Sequence, residues 1–256
     1  MKIPYGNADF ADIRRRGSFY VDKTPFLPVL ESDELGYKNL IFLRPRRMGK
    51  SLLVSMMDHY YDLSRASEFD ELFRGLWVHE HPTPEKNGYL VLNLNFSVVS
   101  ADGAQETIKK SFTEVVKSSF RTLFMRHGAR IPMLGRVEQR LDDYADPAAL
   151  MTNLVGILAG TSDKLYVLID EYDTFANALL SSGQTDLYSS VTDKAGFVRT
   201  FYRAIKAGTE TGAIGRVFVT GASPILIVIH TYWPTRKAVA DRAANSILTS
   251  EDRPCR

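Results

Sequence analysis

Four short strand-like runs constrain this chain more than any other feature of it. They are Asn39-Leu40-Ile41-Phe42-Leu43, Tyr89-Leu90-Val91-Leu92-Asn93-Leu94-Asn95-Phe96, Leu165-Tyr166-Val167-Leu168-Ile169, and Arg216-Val217-Phe218-Val219-Thr220 closed by Gly221. A run that is apolar throughout, rather than at every second residue, is the mark of a strand covered on both faces. The first and third runs have that form, and so are expected to be buried on both faces. Between the runs, apolar residues recur at helical spacing. Lys50–Leu63 carries Leu52, Leu53, Met56, Met57 and Tyr60, and Gln105–Arg126 carries Ile108, Phe112, Val115, Val116, Phe120 and Phe124. Such stripes bury one face of a helix. Val137–Asp143, Pro147–Leu158 and Gly196–Ala207 also read as helices, with Pro147 suited to a first helical position. Phe26–Leu35 reads as a short helix between turns. Residues 79–88 and the polar stretch 181–195 read as loops. Strands alternating with helices build βαβ units, so the predicted class is α/β with a mostly parallel sheet.

Composition narrows the alternatives. A chain of 256 residues with 45% hydrophobic and 24% charged residues is neither disordered nor fibrous as a whole. The one cysteine, Cys255, rules out an internal disulfide and any multi-cysteine metal site, and favours a reducing compartment. No apolar run approaches the roughly 18–20 residues that span a bilayer, so no membrane partner is expected. The first residues show no signal-peptide core, and the expected location is the cytoplasm. A net charge of +2 gives no support of its own to nucleic-acid binding. No repeat appears, and no linker divides the chain before about residue 224.

The strongest chemical signal is Arg44-Pro45-Arg46-Arg47-Met48-Gly49-Lys50-Ser51. It lies between a strand and an amphipathic helix, the setting of a P-loop. In that setting backbone N–H groups at a helix start point at phosphate oxygens. Lys50 would reach the β- and γ-phosphates, the Ser51 hydroxyl would ligate Mg²⁺, and Gly49 would let the backbone approach closely. The place where the usual pattern opens with glycine holds Arg44. A chance Gly-Lys-Ser at a helix start is the plain alternative.

A second signal follows the third run. Asp170 and Glu171 stand at a strand's carboxyl end, where open α/β sheets bind ligands. An acid there holds Mg²⁺, and a following glutamate can polarise a water as general base. The alternative is a solvated turn. Thr220, at the end of the fourth run, is placed to meet a γ-phosphate or that water. Arg46 and Arg47 could meet phosphate, an acidic partner or solvent alone. Arg199 and Arg203 read as a structural ion-pairing pair. His79-Glu80-His81 lacks a third metal ligand, and Arg14-Arg15-Arg16 reads as a solvated run.

Taken together, Tyr20-Val21-Asp22-Lys23-Thr24, Arg44 to Leu53, Ile169-Asp170-Glu171-Tyr172-Asp173 and Val217 to Gly221 resemble the bacterial AAA-ATPase-like family, over roughly residues 3–224. The resemblance implies a three-layer P-loop NTPase of the AAA-like class, with sheet order 5-1-4-3-2, and the cofactors ATP and Mg²⁺. It implies that Arg46, Arg47, Met48, Gly49, Lys50, Ser51 and Leu52 bind nucleotide. Asp22 and Lys23 would lie near the adenine. Ser51 and Asp170 would serve the metal, and Lys50, Glu171 and Thr220 the chemistry. Family members often carry a C-terminal PD-(D/E)XK nuclease-like domain, which is the sole reason to consider nucleic acid. Hydrolysis in such folds often takes an arginine from a neighbouring subunit, so a homo-oligomer is among the expected partners.

After Ser223-Pro224 the chain departs from the family's pattern. Residues 225–256 are expected to be an atypical tail, frameshifted or disordered, leaving the ATPase unit at 1–224 without its fifth strand and without the nuclease domain. The leading function is Mg-dependent hydrolysis of ATP to ADP and phosphate. The alternatives are a nucleotide-binding switch without turnover and a non-functional fragment of an ATPase–nuclease protein.

Overall fold

The computed structural model describes residues 3–32, 38–193 and 196–223. The tail beyond Ser223, with Cys255 and the place of a fifth strand, lies outside them. Along the chain run α1 (Phe10–Arg15), α2 (Leu27–Glu31), β1 (Asn39–Leu43), α3 (Lys50–Tyr61), α4 (Phe69–Phe73), α5 (Trp77–Glu80) and β2 (Leu90–Asn95). Then come α6 (Gln105–His127), α7 (Pro132–Gln139), α8 (Pro147–Ala159), β3 (Leu165–Asp170), α9 (Thr174–Ser181), α10 (Thr185–Thr192), α11 (Phe197–Glu210) and β4 (Ile214–Gly221).

The strands form one four-stranded sheet in the order β1-β4-β3-β2, every neighbouring pair parallel. That is the order the resemblance implies for the first four strands. Every residue of β3 is buried, because β3 has a strand on each side and helices on both faces. Its alternate side chains enter two separate cores. Leu165, Val167 and Ile169 join the core under α6, α8, α9 and α11, while Tyr166 and Leu168 join the core under α1, α2, α3 and α4. β1 differs from its expected burial. It stands at one end of the described order and each of its residues is half-buried, because an apolar run reports composition and not position in a sheet.

The long helices form where their stripes predict. The stripe Ile108, Phe112, Val116, Phe120, Leu123 and Phe124 of α6 is buried in the first core. Asp146 caps α8 by accepting from the Ala148 N–H, and Pro147 opens it. Two readings are corrected. Residues 181–195 contain α10, whose Leu187, Tyr188 and Val191 pack on the first core from a mostly polar sequence. Arg15 and Arg16 are exposed as expected of a solvated run, but Arg14 is half-buried and all three make specific contacts. Arg14 donates to the carbonyls of Leu72 and Arg74, Arg15 pairs with Glu71, and Arg16 with Asp12. Arg14 and Arg15 thereby tie α1 to α4 and the turn after it. The His79-Glu80-His81 stretch spans α5 and its end. His79 pairs with Asp70, and His81 stacks on Trp77. Among the described residues no cluster could hold a metal through three or more His, Cys, Asp or Glu, and no helix is long and apolar enough to cross a membrane.

The end of the sheet away from the strands' carboxyl termini is locked by Arg216. Its guanidinium meets Glu85 at 2.5 and 2.6 Å and donates to the carbonyls of Leu30 and Glu31. Breaking a buried pair by removing one partner costs roughly 3–5 kcal/mol, because the other charge stays desolvated. Glu85→Ala is expected to lower the urea-unfolding free energy by about 3 kcal/mol, and the double variant Glu85→Leu/Arg216→Met to recover part of it.

Candidate functional site

Parallel pairing gathers the carboxyl ends of the strands on one edge of the sheet. Leu43 of β1 pairs with Gly221 of β4, and Ile169 of β3 with Val219. The Arg44 N–H still bonds the Gly221 carbonyl, so the ladder runs one residue past β1. Arg44, which stands where a glycine is usual, thus acts first through its backbone. The loop then curls through left-handed conformations at Arg47 (φ 67°) and Gly49 (φ 73°) and enters α3. Gly49 has open space around it, the nearest atom to an added Cβ being Lys23 Cε at 3.8 Å. Its glycine is required by backbone conformation and not by crowding.

Lys50 is 4% exposed, although it is a lysine. Its Nζ donates to the Pro45 carbonyl at 3.2 Å and stands 3.6 Å from Glu171 Oε1. The ammonium is therefore held inside the loop, pointing at the end of β3. Glu171 sits in a left-handed backbone conformation (φ 53°) that a non-glycine residue adopts at a cost. Its other oxygen, Oε2, accepts from the Thr174 hydroxyl at 2.8 Å.

Asp170 is 3% exposed, and its Oδ1 accepts from the Thr220 hydroxyl and from the Glu171 N–H at 3.1 Å. Thr220 is fully buried, so its hydroxyl serves Asp170 and faces neither cleft described below. Three residues after Asp170, Asp173 is also fully buried. Its carboxylate accepts from the N–H groups of Ala222 and Ser223 and from Asn177 Nδ2. The chain leaving β4 is thereby clamped to the start of α9. Gly221 makes this possible. A Cβ there would meet Tyr172 Cε1 at 2.2 Å and Asp173 Oδ1 at 2.6 Å. Burial and the Asp173 charge hold the Tyr172 phenol well above its ordinary pKa, and its hydroxyl donates to the Ser223 carbonyl.

Two clefts open on this edge. One, of about 510 Å³, is lined by Arg47, Gly49, Lys50, Ser51, Leu52 and Glu171 together with Tyr5, Gly6, Asn7 and Ala8 of the N-terminal segment. The larger, of about 750 Å³, runs beside β2 between α3 and α6, from Ser51 and Asp170 at one end to Asp58 and Arg126 at the other. Ser51 belongs to both, so the two clefts meet there. A family model described as a predicted AAA-ATPase matches residues 4–229. The chain belongs to the AAA-ATPase-like family. No curated protein and no solved structure matches it. Membership carries ATPase-like function at that coarse level.

Most of the residues expected to serve this AAA-ATPase-like site are brought together. Arg47, Gly49, Lys50, Ser51, Leu52 and Glu171 share one cleft, and Asp170 joins through Ser51. Arg46 and Met48 are exposed on the loop and line neither cleft. Lys23 lies against Gly49. Asp22 is spent elsewhere. Its two oxygens accept from the Thr24 N–H and hydroxyl and from the Trp77 N–H, docking α5 on the N-terminal segment. Sequence reading missed residues 5–8, Asp173 and Thr174. For Asp173 the signal was its place in the string Asp170-Glu171-Tyr172-Asp173. Residues 5–8 carried none.

Removing one side of a buried hydrogen bond costs about 1–3 kcal/mol. Asp173→Ala strands at least two backbone donors, so its urea-unfolding free energy is expected to fall by about that amount. Asp173→Asn, which keeps acceptor capacity, should fall less.

Proposed function

We propose that this AAA-ATPase-like chain binds ATP in the smaller cleft and hydrolyses it to ADP and phosphate, residues 1–224 forming the ATPase unit with the layering of a P-loop sandwich. The observation that carries the proposal is the approach of Lys50 to Glu171, a buried cation and a carboxylate brought from two different strand ends to one wall of the cleft. Backbone N–H groups at the start of α3 and the Lys50 ammonium suit the phosphates of a nucleotide. Arg47, on the same wall, adds positive charge.

Mg²⁺ usually takes one or two protein oxygens and keeps waters and substrate phosphates for the rest. The donor set fits that habit. Ser51 and Asp170 both line the larger cleft, and Ser51 lines the smaller one as well. Asp170 Oδ1 is engaged by Thr220 and Glu171, and Oδ2 receives no hydrogen bond from the described residues. Mg²⁺ held there would neutralise charge developing on the phosphates. Thr220 acts through Asp170, fixing the rotamer of that carboxylate. Glu171 stands within the cleft to polarise the attacking water and receive its proton. The clamp of Asp173 on the chain after β4 keeps Thr220 in register with Asp170.

A switch that binds nucleotide without turnover is the second reading, and one contact favours it. Glu171 is gripped from both sides, by Lys50 and by Thr174. A base held in this way does no chemistry until a phosphate competes for Lys50. A rise in melting temperature with ATP and no phosphate release by the wild type would select this reading over hydrolysis.

Lys50→Ala is expected to abolish ATP binding while the circular dichroism spectrum is retained. General-base groups contribute roughly 10²–10⁴-fold to rate. Glu171→Gln should therefore bind ATP as the wild type does and release phosphate at least a hundredfold more slowly. Equal phosphate release by the two proteins would overturn the role assigned to Glu171.

A further inference from the structure

Tyr5 is 96% exposed, yet it lines the cleft that Gly49 and Lys50 also line. It is the one aromatic side chain among the described residues lining that cleft. An exposed tyrosine ring at the tip of a loop gains nothing for folding, since it covers no apolar surface.

The turn that presents it is nonetheless built firmly. Gly6 takes a left-handed conformation (φ 71°), and the Asn7 N–H closes on the Pro4 carbonyl at 3.3 Å. Asn7 then fastens the turn to α1. Its Nδ2 donates to Asp12 Oδ2 at 2.7 Å, and its Oδ1 accepts from the Asp9 N–H at 2.9 Å. α1 in turn is fastened to α3, because the Phe10 N–H donates to Ser55 Oγ at 3.0 Å. Tyr5 and the start of α3 are thus parts of one tied unit, and both line a cleft of about 510 Å³. That size lies within the roughly 300–1,000 Å³ of small-molecule sites.

We infer that Tyr5 is the stacking platform for the base of the bound nucleotide, an inference that rests on the ATP-binding reading above. A nucleotide whose phosphates lie on α3 must send its base away from Lys50, and among the described residues lining this cleft Tyr5 offers the one flat π-face. Bases stack on aromatic rings with little regard to their identity, because every base has such a face. The side chains beside Tyr5 offer little with which to read a base edge. The Asn7 amide is engaged by Asp12 of α1 and by the Asp9 N–H, while Gly6 and Ala8 have no polar side chain. The site therefore recognises a nucleoside triphosphate through its phosphates and its stacking surface, and separates ATP from GTP weakly.

The test is calorimetric titration of the full chain with ATP, GTP and inorganic tripolyphosphate, using wild type, Tyr5→Ala, Tyr5→Phe and Lys50→Ala. Losing one stacked base by alanine substitution costs enough to weaken binding about tenfold or more. Tyr5→Ala is expected to weaken ATP and GTP by that factor and to leave tripolyphosphate unchanged. Tyr5→Phe should stay within about twofold of wild type for all three, since the ring and not the hydroxyl does the stacking. Unchanged ATP affinity in Tyr5→Ala would overturn the inference, as would an equal loss for tripolyphosphate. A wild-type preference for ATP over GTP well beyond tenfold would also count against it. Wild type that binds neither ATP nor tripolyphosphate would overturn the nucleotide reading, and the stacking with it. Wild type that binds both, with Lys50→Ala losing both and Tyr5→Ala losing neither, would overturn the stacking alone.

Discussion

Register in a parallel sheet decides everything at the functional edge. Once Ile169 lies beside Val219 and Leu43 beside Gly221, the residues that follow each strand have no freedom to be elsewhere. Asp170 meets the hydroxyl of Thr220, Glu171 turns toward the loop after β1, and that loop delivers Lys50 to meet it. A slip of one residue in any of these ladders would send the strand's apolar side chains to the opposite core. The two cores, which take alternate residues of β3, therefore protect the register, and the register assembles the site.

The parts of the molecule that were legible in the sequence are those dictated by burial. β3 is apolar from Leu165 to Ile169 because a polar side chain buried between two helical layers needs a partner. The stripe of α6 from Ile108 to Phe124 is visible for the same reason. α10 was not visible, because a short helix packed by Leu187, Tyr188 and Val191 needs few apolar residues, and the serines and threonines between them suit a loop equally well. The position of β1 at the end of the described order was hidden too, since neighbours and not residue types set its exposure.

The same division runs through the site. Gly49, Lys50 and Ser51 announce themselves because phosphate chemistry needs those residue types at that spacing, and Asp170 and Glu171 because two acids rarely follow five apolar residues. Asp22 shows the opposite case. The family resemblance suggested a place near the nucleotide, but its carboxylate is committed to Thr24 and Trp77, a use that only the folded neighbourhood reveals. Residues 5–8 border the cleft through a turn whose fastening to α1 and α3 is entirely tertiary. No local pattern in Tyr5-Gly6-Asn7-Ala8 encodes it.

The left-handed backbone at Glu171 sets stability and chemistry against each other at one residue. Such a conformation costs a non-glycine residue about 1–3 kcal/mol, and glycine adopts it freely. An engineer who ranks substitutions by folding energy alone would write glycine there, relax the turn after β3, and discard the carboxylate facing Lys50. A glutamate kept in that posture is a debt the rest of the sheet carries, and the size of that debt measures how much the fold gives up to aim one side chain.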